Sequence, residues 1–320
     1  MLFCPACEVA LAPSHSCPSC DLEVGMLGGV IDFLGETERD RQSKGVEDFY
    51  DIRPFPGYAP GDNASTLIDR CRSSPFLLGL DRAIPADARV VDCGCGTAQI
   101  PSFLALASPH RQVIGVDACR ASLHEADTFR QRVGIPNLTL ARGDLFKLPL
   151  PKGEFDYVIS RGVVHHTPDP FGAIRSVADR VAMGGYLILG WYESMARLFH
   201  RGRQIVHNAI GRPVRVLDPV LRRRDLDEEK KLTWIEDQYR HPLERLLSLP
   251  AVHDVLEEEG FEWIRTIPPA PEGDEIFVPT PQPSAAGIFG RRLGWVMRGL
   301  SDEDAGLVST VMRRHRPSRR

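Results

Sequence analysis

Four cysteines open the chain in two pairs, Cys4-x-x-Cys7 and Cys17-x-x-Cys20, with nine residues between the pairs. Each pair lets two thiolates from one tight turn reach the same ion, and four thiolates close a tetrahedron around zinc. Pro5 and Pro18, just after the first cysteine of each pair, suit such turns. A closed four-sulfur site leaves no position for water, so its role is structural. A segment of about 34 residues buries too little apolar surface to fold alone, and metal would supply its stability. Residues 1–34 are therefore read as a zinc ribbon with Cys4, Cys7, Cys17 and Cys20 as ligands, and His15 as a loop residue.

A second constellation is Val90-Val91-Asp92-Cys93-Gly94-Cys95-Gly96-Thr97-Ala98-Gln99. A buried strand ends in an acid, and a glycine-rich turn then opens a helix. The glycines let backbone approach a ligand and take positive φ. Such a ligand sits outside the carboxyl ends of the strands, at the topological switch point. A dinucleotide fingerprint needs glycine at position 99, where this chain has Gln99. Asp92 would also repel a pyrophosphate, whereas it suits an amino or sulfonium cation. That favours S-adenosylmethionine over NAD. Asp117 closes the next strand, with Ala118 beside it, and an acid there can accept both ribose hydroxyls. Asp144-Leu145 follows the third strand. One acid at a strand end commonly caps the next helix. Three at successive strand ends behind a glycine turn point to one ligand.

The glycine segment resembles motif I of class I S-adenosylmethionine-dependent methyltransferases, with Asp92, Gly94 and Gly96 matching and Ala98 where a third glycine is usual. The resemblance implies that Asp92 and the backbone of Gly94 to Thr97 hold the methionine part. It also implies that Asp144 receives the adenine amine and that Leu145 covers the adenine face. The stretch from Phe155 to Pro170 is similar to the "FDxV…LHH…DP" segment of methyltransferases related to the ubiquinone and menaquinone enzymes (type 11/12-like), which implies that Ser160 to Val163 line the cofactor near its methyl. Gly184-Gly185 resembles the family's PGG turn, with Met183 in place of proline. The resemblance covers about residues 88–192 and does not name the acceptor. The cysteine segment is similar to Trm112-like zinc ribbons and to those in front of some bacterial methyltransferases.

The cofactor carries the activated methyl, so the protein must align a nucleophile and exclude water. His165 and His166 are the candidate bases, with packing of the turn as the alternative role for either. Asp169, between two prolines, is read as a helix N-cap. Tyr50 and Tyr58 flank Arg53-Pro54-Phe55-Pro56-Gly57, similar to a "PFPxY" segment of bacterial relatives. They are read as substrate contacts in an aromatic lid, or else as a packed segment over the sheet edge. Gln238-Tyr239-Arg240-His241-Pro242 resembles a "DQYxHP" stretch of the same group and would bring Tyr239 to the substrate pocket. Cys71, Cys93, Cys95 and Cys119 are read as packed thiols.

The elements that must position these groups follow from periodicity. Between Arg89 and Trp191, short Val/Ile/Leu runs alternate with amphipathic stretches, the pattern of βαβ units with strands buried on both faces. The expected fold is α/β, a doubly wound, mostly parallel sheet of seven strands with an N-terminal zinc ribbon and a helical insertion. Residues 1–34 form the ribbon, 35–88 a turn-rich linker and lid with one short helix near 65–72, and 89–320 the methyltransferase domain. Its insertion covers 194–247. A helix to Gly260, a strand near 261–267, a helix near 285–300 and a final strand near 306–312 complete the expected order.

Apolar residues make up 42% of the chain and charged residues 26%, proportions that support a packed core. A net charge of −4 gives no general reason for nucleic acid or an acidic membrane as partner. Arginines do cluster at 222–224, 291–292 and in the last eight residues, without interleaved aromatics, and are read as solvated faces. No apolar run is long enough to span a bilayer, and no secretory signal opens the sequence. A cytoplasmic location is expected, with thiols reduced. The expected function is methyl transfer to a small-molecule or lipid-like acceptor. An RNA or protein acceptor gripped by the ribbon is the alternative, and a non-catalytic cofactor-binding module is a third reading.

Overall fold

The computed structural model describes residues 2–12, 14–20, 22–35, 41–52, 54–212, 215–270, 275–300 and 306–318. The cysteine segment leads into a hairpin of β1 (Gly25–Leu27) and β2 (Val30–Asp32), turned at Gly28 with φ +63°. Three helices follow: α1 (Arg41–Ile52), α2 (Ala64–Arg72) and α3 (Pro75–Ala83). The region expected to be mostly turns is thus largely helical. Asn63 and Thr66 form a capping box on α2, and Ser74 with Pro75 starts α3.

The alternating segment then gives β3 (Arg89–Cys93), α4 (Gln99–Ala107), β4 (Gln112–Asp117), α5 (Arg120–Val133), β5 (Leu138–Arg142), β6 (Phe155–Arg161), α6 (Pro170–Ala178) and β7 (Val181–Tyr192). Residues 194–247 carry α7 (Leu198–Ile210) and α8 (Glu228–Tyr239). The chain ends with α9 (Leu249–Glu258), β8 (Phe261–Ile267), α10 (Ala285–Arg298) and β9 (Leu307–Arg314). Asp169 does cap α6, accepting a hydrogen bond from Gly172 N at 3.0 Å.

The sheet has nine strands in the order β1-β2-β5-β4-β3-β6-β7-β9-β8, parallel except where β1 and β9 run antiparallel to their neighbours. The expectation of seven is corrected. The two added strands come from the segment that follows the cysteines, because β2 pairs in parallel with β5, Val30 to Leu140 and Asp32 to Arg142. An open edge strand offers unpaired backbone groups, and this hairpin occupies them.

Successive strand residues face opposite layers. Val90 joins Leu80, Phe103 and Phe129 in a core under α2 to α5, while Val91 joins Ile174, Leu249 and Leu256 under α6 and α9. Leu2 is buried in that second core. The sheet reverses direction of winding at β3, which lies between β4 and β6. Loops from both halves therefore meet above its carboxyl end. No helix among the described residues is long and apolar enough to cross a membrane.

Candidate active site

The loops after β3, β4, β5 and β6 enclose one side of a cavity of about 680 Å³. Asp92, Gly94, Gly96, Asp117, Ala118, Asp144 and Leu145 all line it, so the three strand-end acids share one hollow. Asp117 ties two of the loops together, accepting from Gly96 N at 2.7 Å and Cys119 N at 2.8 Å. Asp144 braces its own loop by accepting from Phe146 N at 2.9 Å. The Asp92 side chain accepts no hydrogen bond within the described residues. Burial, and secondarily the charge of Asp117, pushes its carboxyl up to about 8. A cation placed there would reverse that penalty.

Thr97 and Ser160 lie just behind this wall. Both are fully buried and neither lines the cavity. Ser160 Oγ donates to Cys93 O at 2.8 Å, and Thr97 Oγ1 accepts from Gly57 N at 3.3 Å. Their place is to fix the strands and turn that carry the lining residues. Ala98 takes the left-handed conformation, φ 55°, that the motif's third glycine would favour.

The other side of the cavity comes from α1, the 55–56 turn, α3, the turn after β6, the end of β7 and α8. Tyr50, Phe55, Phe76, Val163, His166, Tyr192, Trp234, Asp237 and Gln238 line it. His166 Nδ1 lies 2.7 Å from Leu243 O, which assigns the proton to Nδ1 and leaves Nε2 an acceptor. Burial holds His166 down at about 4, and its ring lies 3.7 Å from that of His241. At neutral pH His166 is therefore an uncharged imidazole. Asp237 accepts from Tyr50 OH at 3.1 Å and from Gln238 Nε2 at 2.6 Å, and burial raises its carboxyl.

Three expected residues do not reach this space. His165 is fully buried, packs 4.1 Å from the Tyr192 ring and does not line the cavity. Tyr58 stacks on Phe129 at 4.0 Å with its hydroxyl donating to Ser102 at 3.3 Å, and unlike Phe55 it does not line the cavity. Tyr239 donates to Asp218 Oδ2 at 2.5 Å and packs near His200 and His207. Its neighbours Trp234 and Gln238, one turn apart on α8, are the ones that face inward, as helical periodicity dictates. Sequence reasoning does not single out Asp237, Trp234, Phe76 or Tyr192, although the motif contains the first.

The four cysteines converge. Their sulfurs lie within 4.8 Å of one another, with Cys4 and Cys20 Sγ 3.7 Å apart. A zinc tetrahedron with bonds near 2.3 Å has edges of about 3.8 Å. Cys7 N and Ser19 N each donate to the preceding knuckle sulfur at 3.4 Å. The donor set and spacing fit the metal. Of the remaining thiols, burial pushes Cys93 and Cys95 up, Cys119 to about 12 and Cys71 to about 11, so none is a ready nucleophile. One arginine of each cluster pairs within the chain: Arg223 with Asp225, Arg292 with Glu193 at 2.8 Å and Arg313 with Glu262 at 3.9 Å. Arg53, Arg319 and Arg320 lie outside the described residues.

Residues 91–189 match the family described as "Methyltransferase domain". An uncharacterised protein of Synechococcus sp. is 28% identical over 260 residues, 70% of this chain and 60% of its own length. YcgJ, an uncharacterised methyltransferase of Bacillus subtilis, is 33% identical over 104 residues, 32% of this chain and 40% of that protein. The chain thus spans less than two thirds of either relative. Among solved structures, PKMT2 from Rickettsia typhi in complex with AdoHcy aligns with a TM-score of 0.50 at 16% identity, covering 82% of this chain and 56% of that one. That likeness concerns the fold. The sheet order and the three acids in one crevice agree with that match, and residues 91–189 carry a methyltransferase domain.

Proposed function

We propose that this protein transfers a methyl group from S-adenosylmethionine to a small, largely apolar acceptor held in the same cavity, and that its N-terminal cysteines hold one structural zinc. The observation that carries this reading is continuity: the acid-lined crevice and the aromatic wall with His166 and Asp237 form one space. Its volume of about 680 Å³ lies within the range for pockets that enclose small ligands.

Asp92 would meet the amino group of the methionine part, Asp117 the ribose and Asp144 with Leu145 the adenine. When bound, the sulfonium supplies an activated methyl. The chain's residues hold the acceptor in line and keep water out. Phe55, Phe76, Tyr192 and Trp234 give it an apolar seat. For a phenol, alcohol or amine, the proton lost by the nucleophile passes to His166 Nε2, the free acceptor nitrogen of a neutral ring. Asp237, steadied by Tyr50 and Gln238, offers an acceptor for a hydroxyl or amine on the same wall. A small acceptor is favoured over RNA because the candidate base and acid wall an enclosed cavity, and because Arg223, Arg291 and Arg292 are engaged within the chain.

Calorimetric titration with S-adenosylhomocysteine tests the cofactor half. Wild type should bind one equivalent, and Asp117→Ala should bind at least about tenfold more weakly. The absence of binding to folded wild-type protein sinks the reading. Mass spectrometry of small molecules retained on purification tests the acceptor half.

A further inference from the structure

Arg142 has no part in the motif, yet it sits where the cysteine segment meets the cofactor crevice. Its residue is 7% exposed, and its guanidinium contacts three separate pieces of chain. Nη1 lies 3.4 Å from Asp32 on β2 and donates to Gly35 O at 3.0 Å. Nη2 meets Glu47 of α1 at 2.6 Å. Nε donates to the carbonyl of Ala118, a cavity-lining residue, at 3.0 Å. Its own carbonyl accepts from Phe33 N at 2.9 Å, and the residues after it are Gly143, Asp144 and Leu145. A second contact grips the far end of that loop. Phe3 N donates to Pro149 O at 3.0 Å, Leu2 packs with Leu148 and Leu150, and Glu8 pairs with Lys152 at 2.6 Å. The segment is thus seated on the back of the loop whose front lines the cavity.

We propose that Arg142 is a positioning residue that couples the metal-binding segment to the cofactor crevice, so that zinc on the four cysteines and the nucleoside in the crevice strengthen each other's binding. This rests on the cofactor reading above. A buried guanidinium with its donors spread over three elements holds them in one arrangement, and losing one partner leaves charge uncompensated. Thermodynamic linkage makes the effect reciprocal: whatever factor zinc adds to nucleoside affinity, the nucleoside adds to zinc affinity.

The test uses the full chain with S-adenosylhomocysteine and zinc as probes, and needs no acceptor. Zinc affinity is measured by chelator competition with and without saturating nucleoside. The nucleoside should tighten zinc by about fivefold or more. In zinc-loaded protein, Arg142→Lys should weaken the nucleoside by a similar factor and remove the coupling, because a single ammonium nitrogen cannot reach partners spread around the edges of a planar guanidinium. Arg89→Gln is the control for plain destabilisation. It breaks an ion pair with Asp156 at 3.1 Å, on the opposite ends of the strands, and should leave both affinities and the coupling unchanged. Equal zinc affinity with and without nucleoside overturns the proposal, as does an Arg142→Lys protein that keeps wild-type nucleoside affinity. If wild-type protein binds zinc but no nucleoside, the cofactor reading itself is what fails.

Discussion

A Cβ added to Gly96 would lie 2.5 Å from the carbonyl oxygen of Phe55. Gly96 has φ +53°, and Thr97 N donates to that same carbonyl at 3.2 Å. The 55–57 segment is therefore clamped across the cofactor turn, and only glycine lets it come that close. Gly96→Ala should separate the two and lower S-adenosylhomocysteine affinity by more than about tenfold, in addition to about 1–2 kcal/mol for a left-handed alanine. Gly134→Ala meets the same left-handed penalty at φ +73° but finds nothing within 4 Å. It should lose stability and keep full affinity. Equal affinity in both variants, read by calorimetry, would remove the clamp from the account.

Asp92 makes cofactor binding depend on pH. In the free protein its carboxyl is held up at about 8 by burial and by Asp117. A cationic ligand favours the ionised form, so binding lowers the bound-state value. Below pH 8 a proton must leave as the ligand arrives. Affinity for S-adenosylmethionine should therefore rise from pH 6 towards 8, by at most about tenfold per unit, and stop rising above, where the ligand's own amino group loses its proton. The linkage to stability has the opposite slope. Between the unfolded value near 4 and 8, the native state binds the extra proton, so the ligand-free protein loses stability as pH rises. Asp92→Asn should flatten the affinity profile and raise the melting temperature of ligand-free protein at pH 8. An unchanged affinity profile would take Asp92 out of the cofactor's reach.

Much of this site was legible in the sequence because it depends on local chemistry. Asp92, Gly94, Gly96, Asp117 and Asp144 each sit at a strand end, and a strand end is fixed by the short apolar run before it. The paired cysteine spacing likewise forced four thiols together. The acceptor wall was harder to read. Tyr58 and Tyr239 are aromatics near a motif, but which way each faces depends on a turn at Gly57 and on the phase of α8. Arg142 was invisible for a different reason. Its partners Asp32, Glu47 and Ala118 are brought to it by the hairpin and by α1, and no local pattern announces contacts between distant segments. The added strands were missed because three-residue runs such as Val30–Asp32 carry too little periodicity to register.

Buried histidines should make the fold sensitive to mild acid. Burial holds His166 and His253 down at about 4, His241 at about 3 and His200 at about 2, and it also depresses His165. Between these values and the unfolded value near 6.5, the unfolded chain binds more protons, so stability rises with pH across that window and falls as pH drops below 6.5. Each such histidine can contribute up to about 1.4 kcal/mol per pH unit. Several histidines together outweigh the opposite slope of Asp92, so melting temperature should fall between pH 6.5 and 5. His253 reaches Thr310 Oγ1 at 3.2 Å and lies away from the cavity, so His253→Gln should soften the slope without touching cofactor affinity. A melting temperature constant from pH 7 to 5 would show that these rings are more hydrated than their packing indicates.

The metal expectation follows from sulfur geometry. Four Sγ atoms inside a 4.8 Å sphere of mutual distance, with one edge at 3.7 Å, already stand near the corners of a zinc tetrathiolate. Without a cation, four thiolates packed so closely would repel, and four protonated thiols gain little from each other. Freshly reduced protein should carry one zinc per chain. Cys20→Ser should release it, since a hydroxyl neither ionises near neutral pH nor matches the metal's preference for sulfur. Cobalt substitution gives an independent readout, because a tetrahedral thiolate site colours the ion and an octahedral oxygen site does so only weakly. Cys71→Ser changes a buried thiol far from the cluster and should retain the metal. Metal analysis that finds no zinc after incubation with the ion under reducing conditions would leave the cysteine pairs without their chemistry.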